Sequence, residues 1–155
     1  MIIEIDQSGK VEETAKDTVV AFVDNSKKKL YRSILLPKKE KRKLQRFFRD
    51  VGMPRRYNYQ VFSALIFLLI RPYLRRLDRV IVDIEYPGQN TLIRNLILEK
   101  VRPIYEKFDP SIIVFQRIGK GSPAHDRAYY TYQKKYKPNQ KIGSKDVLGA
   151  IIAPE

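Results

Sequence analysis

Asp83 and Glu85 stand two residues apart in a run, residues 79–86, otherwise dominated by Val80, Ile81, Val82 and Ile84. On an extended strand that spacing puts both carboxylates on one face. Burying a carboxylate among so many apolar neighbours costs several kcal/mol unless a cation or a hydrogen-bonded partner offsets the loss. Asp6 raises the same question at the end of the apolar stretch 2–5. Acids from neighbouring strand ends repel one another unless a metal sits between them. Two magnesium ions about 4 Å apart, held by such acids, clamp a phosphate and activate a water. The alternative is structural: Asp6 makes an Asx-turn with Ser8 and Gly9, and Asp83 or Glu85 pairs with one of the many arginines.

The rest of the composition narrows the chemistry. There is no cysteine and a single histidine, so thiolate metal sites, disulfides and thiol nucleophiles are excluded. What remains for a metal is oxygen ligands and hard cations, magnesium or manganese. Further acids suited to closing such a site are Asp126 and Asp146, each in the first turn of an expected helix, where an aspartate also serves the helix dipole. His125, beside Asp126, has the chemistry to assist a leaving group or orient a water, although a lone histidine in a helix's first turn is more often a surface or capping residue.

Lysine and arginine number 31 against 17 acids in 155 residues, a net charge of +14. Such a surface attracts polyanions. Residues 124–137 interleave Tyr129, Tyr130, Tyr132 and Tyr136 with Arg127, Lys134, Lys135 and Lys137. Aromatic rings offer every base a face to stack on, while the cations follow the backbone. Helical spacing also allows Tyr129, Tyr132 and Tyr136 to face a core. Lys120, between Gly119 and Gly121, is the best placed single residue for holding a phosphate. The basic run at residues 38–49 is either a solvated face or a second phosphate contact.

The elements that must position these residues follow from the apolar pattern. Strands are expected at 2–5, 18–23, 30–36, 79–86 and 111–118, the first three as an antiparallel meander. Helices are expected at 38–50, 57–77 (kinked or split at Pro72), 91–108, 124–137 and 145–152. This is an α/β chain of one domain, residues 1–155, with a mixed five-stranded sheet flanked by helices. Its site belongs at the carboxyl ends of the parallel strands. The longest apolar run, 61–70, is too short for a bilayer, and acids stand near the first residue where a signal peptide is basic. No membrane association and a cytoplasmic location are expected.

These motifs resemble the ribonuclease H-like superfamily, and within it the crossover junction resolvases. Ile5-Asp6-Gln7-Ser8-Gly9 looks like the opening strand whose aspartate is the central metal ligand. Val82-Asp83-Ile84-Glu85-Tyr86 resembles the fourth strand, in which Glu85 matches the metal-binding glutamate. Gly119-Lys120-Gly121 resembles the basic turn after the fifth strand. Residues 145–152 are similar to the last helix, whose aspartate, here Asp146, binds metal. Gly143 stands where resolvases carry a second acid, leaving Asp83 or Asp126 to complete the shell. The resemblance implies a two-metal nuclease using magnesium or manganese, with Asp6, Glu85 and Asp146 as ligands. Single-stranded DNA trimmed from an end is the favoured substrate. Junction or RNA cleavage, a homodimer, and a non-catalytic binding module are the alternatives.

Overall fold

The computed structural model of this chain describes residues 1–27 and 30–152. Three strands lead: β1 (Ile2–Ser8), β2 (Thr18–Asp24) and β3 (Tyr31–Leu36). Helices α1 (Lys38–Asp50) and α2 (Tyr57–Ile70) follow, then β4 (Arg79–Asp83), α3 (Asn90–Val101), β5 (Ile113–Gln116), α4 (Pro123–Tyr132), β6 (Gln140–Lys141) and α5 (Ser144–Ile151). They build one mixed sheet in the order β5-β4-β1-β2-β3-β6. The meander β1-β2-β3 is antiparallel, and β4 and β5 run parallel to β1.

Alternation along the strands decides which helix each side chain meets. Ile3, Ile5, Val20, Phe22, Ile34 and Leu36 join the main core beneath α2. That helix is apolar nearly all round: every residue from Val61 to Ile70 is buried, as expected of a helix covered by neighbours on several sides. The intervening residues Glu4 and Asp6 face the other way, toward α4, which packs on β1 and β2. Ala124 and Ala128, four apart on α4, are fully buried and let the helix lie close to the sheet.

Several boundaries differ from the sequence expectation. The sheet has six strands, because Gln140 and Lys141 pair with Ile34 and Leu35, a two-residue segment too short and polar to carry a strand pattern. The fourth strand stops at Asp83, where the last ladder partner is Gln116. The expected helix 57–77 ends at Ile70 and continues as a 3-10 segment, Arg71–Arg76, with Pro72 at its start. The helix expected over 91–108 closes at Val101, and the one expected over 124–137 closes at Tyr132. Lys134 adopts a φ of 66°, a left-handed conformation that ends a helix.

Lys41 qualifies the reading of α1 as a basic face. It is fully buried, and its Nζ donates to the carbonyl oxygens of Lys10, Glu13 and Lys16 at 2.9, 2.7 and 2.6 Å. Those three bonds use every ammonium proton and fasten the β1–β2 loop to α1. Burial pushes this ammonium down to about 8. The same loop is pinned by the Tyr57 hydroxyl donating to the Val11 carbonyl, and the Tyr86 hydroxyl to Glu12. Gly9 closes β1 with a φ of +77°, and a Cβ there would stand 2.0 Å from the Asp17 carbonyl oxygen.

Candidate functional site

Asp6, Asp83 and Glu85 converge. One carboxylate oxygen of each lies within 4.8 Å of the others, a spacing that could hold a metal ion. Asp6 comes from the middle of the sheet, opposite Ala21 on β2, and is 4% exposed. Asp83 ends the adjacent parallel strand, and Glu85 follows it in the bend beyond the strand. Glu85 thus joins Asp83 two residues on, as the shared-face spacing of the sequence anticipates. The parallel register that pairs Ile5 with Val82 sets Asp6 beside Asp83, which is why residues 77 positions apart meet there.

The electrostatics are those of crowded acids. Burial, then the Asp83 and Asp6 charges, pushes the Glu85 carboxyl up to about 8. Asp6 is also raised, chiefly by burial and further by Asp83. The Gln7 amide and His125 act in the opposite direction. The Gln7 amide donates to Asp6 Oδ1 at 2.8 Å, and His125 Nδ1 lies 2.9 Å from Oδ2. Asp83 Oδ1 accepts the Ile118 amide at 2.6 Å, tying the loop after β5 to the cluster. A divalent cation suits this donor set: it is all oxygen, collects like charges in one place, and lies in a chain of net charge +14.

His125 enters through α4. The Ser122 hydroxyl accepts the His125 amide at 3.0 Å and caps the helix. That cap, with Ala124 packed against the sheet, sets the imidazole on Asp6. Its plane lies 10° from that of Tyr129, with centroids 6.0 Å apart. Beyond it extends a surface of rings and cations. Tyr130 lies 5.7 Å from Tyr129, and Lys135 Nζ stands 5.1 Å above the Tyr130 ring. Arg127 is held between Tyr31 at 3.6 Å and Tyr136 at 4.4 Å. Tyr31, Tyr129 and Tyr136 are each about two-fifths exposed. Lys134 and Lys135 lie in the turn after α4 rather than on it.

Two expected acids stand elsewhere. Asp146 Oδ2 accepts the Gly143 amide at 2.8 Å, capping α5. That helix packs on α2 and α1, the layer opposite α4. Its aspartate answers the dipole of its own helix, the alternative the sequence left open, and takes no part in the carboxylate group. Asp126 is exposed in the first turn of α4 and is likewise outside that group. Lys120 is exposed in the loop that Asp83 anchors.

Tyr31 is a contributor that sequence reasoning passed over, since it begins a strand 96 positions before Arg127. The link between His125 and Asp6 had one signal, a lone histidine opening the helix after the last long strand. No family model, curated protein or solved structure matches this chain. Among the described residues, no helix is long and apolar enough to cross a membrane.

Proposed function

We propose that this chain is a divalent-metal-dependent nuclease of the ribonuclease H-like kind, acting on single-stranded DNA from an end. The observation that carries this reading is the convergence of Asp6, Asp83 and Glu85 in an otherwise strongly basic chain. The meander β1-β2-β3, extended through parallel β4 and β5, supports the fold half of the proposal.

Asp6, Asp83 and Glu85 would hold magnesium or manganese. When bound, such ions polarise a phosphoryl oxygen, lower the pKa of water and neutralise a leaving oxyanion. The residues do the rest. Asp6 fixes the imidazole through Nδ1, leaving the second ring nitrogen to accept or donate a proton. The Asp83–Ile118 bond anchors the loop that carries Lys120, whose ammonium would meet a phosphate. Tyr129 would offer a ring face to unstacked bases, and Arg127 and Lys135 would present charge to the backbone.

The test is incubation of labelled single strands, duplexes, hybrids and four-way junctions with manganese or with chelator. Metal-dependent shortening of the single strand is expected, with Asp6→Asn retaining binding and losing cleavage. Binding without cleavage of any substrate in manganese would replace the enzyme with a capture module.

A further inference from the structure

Away from the carboxylates, the segment Arg71–Arg76 and the turn after α3 enclose a cleft of about 420 Å³. Arg71, Tyr73, Arg75, Arg76, Ile104 and Tyr105 line it. Its guanidiniums are oriented by aromatic rings. Arg75 lies 4.7 Å from the Tyr105 centroid, Arg76 5.6 Å from Tyr73, and Arg71 5.7 Å from Phe67. Among the described residues no carboxylate pairs with any of the three. Asp78, two residues on, is occupied by the amino terminus at 2.7 Å. Arg32 adds a neighbouring charge: burial, and the nearby Arg71, hold its pKa below the usual value.

Like charges gathered without counter-charge repel one another, and an anion removes that cost. A guanidinium lying on a ring keeps its N–H edge outward, in the geometry that grips a phosphate with two hydrogen bonds. The cleft is also distant from the carboxylates. Its segment leads into β4 at Arg79, whereas Asp83 closes that strand, four residue steps or roughly 13 Å further along.

We propose that this arginine cleft holds backbone phosphates of a nucleic-acid strand, as an anchoring site separate from the carboxylate cluster. Backbone rather than base is indicated because guanidiniums already cover the tyrosine faces. A strand rather than a small anion is indicated by three arginines spread along one open cleft in a chain of net charge +14. The inference rests on the nucleic-acid reading above but not on cleavage.

Fluorescence anisotropy in chelator, with labelled oligothymidylates of about four and about twenty nucleotides, tests it. Arg71→Gln/Arg75→Gln is expected to bind the long strand about tenfold more weakly, with a salt slope shallower by ~1.4. Binding of the short strand, which the α4 surface accommodates, stays unchanged. Equal loss for both lengths, or no loss for either, overturns the inference while leaving the nucleic-acid reading intact. Wild-type protein that binds neither length overturns both. Should the double variant misfold, arginine-directed glyoxal labelling of the wild type decides. Protection of Arg71 and Arg75 by the long strand alone supports the cleft, and absence of protection overturns it.

Discussion

Nδ1 of His125 lies 2.9 Å from Oδ2 of Asp6, joining the first turn of α4 to the central strand across 119 positions of sequence. Asp6 is almost wholly buried, whereas the imidazole side chain keeps about a third of its surface. The pair therefore connects the interior of the sheet to the exposed rings of α4.

If that contact orients a proton-transfer group, His125→Ala should lower metal-dependent turnover by ~10²-fold or more. Affinity for oligothymidylate in chelator should fall far less, because Tyr129 and Arg127 remain. Steady-state kinetics beside anisotropy separate the two effects. A variant that turns over at the wild-type rate would assign the histidine to packing alone.

Glu85 makes the metal-free protein sensitive to pH. Its carboxyl ordinarily titrates at 4.5 and is raised to about 8 in the fold. A raised acid binds its proton more tightly when folded. Its stabilising contribution is therefore full below about pH 4.5 and is lost as pH rises through about 8. Melting temperature without metal should fall between about pH 5 and about pH 9, and manganese should raise it most at the alkaline end. A manganese effect largest at the acid end would contradict a carboxylate site.

Lys41→Met removes three hydrogen bonds at once and leaves three carbonyl oxygens of the β1–β2 loop without their donor. A loss of ~3 kcal/mol is expected from denaturant unfolding. The cost should exceed that of Lys39→Met, an exposed position on the same helix.

Asp146→Ala should cost ~1 kcal/mol, the loss of a helix cap, and leave manganese affinity untouched. Calorimetric titration with manganese distinguishes this from Asp6→Ala, for which metal binding should be abolished.

Gly9→Ala demands a left-handed backbone of an L-residue and drives a methyl toward the Asp17 carbonyl and the Tyr132 ring. Destabilisation of at least ~2 kcal/mol is expected in thermal or denaturant melts. Because Tyr132 ends α4, the same change should also perturb the seating of His125, visible as a shift of its imidazole resonances.

Local pattern determined much of this molecule. The apolar runs of β1 to β3 and the buried run of β4 are written in neighbouring residues. So were the acids Asp6 and Asp83, because a carboxylate in an apolar strand needs a reason to be there. Tertiary structure decided the remainder. Whether an aspartate in a helix's first turn serves its own dipole or a distant metal depends on which layer the helix joins, and α5 packs with α1 and α2, away from the carboxylates. That Asp83 and Glu85 meet Asp6 depends on the register in which β4 pairs with β1. The burial of Lys41 required a loop 25 to 31 residues earlier to offer three carbonyls. Composition and spacing record which groups a chain owns. Their protonation and their partners depend on the neighbours and the water left around them, which only the packed layers supply.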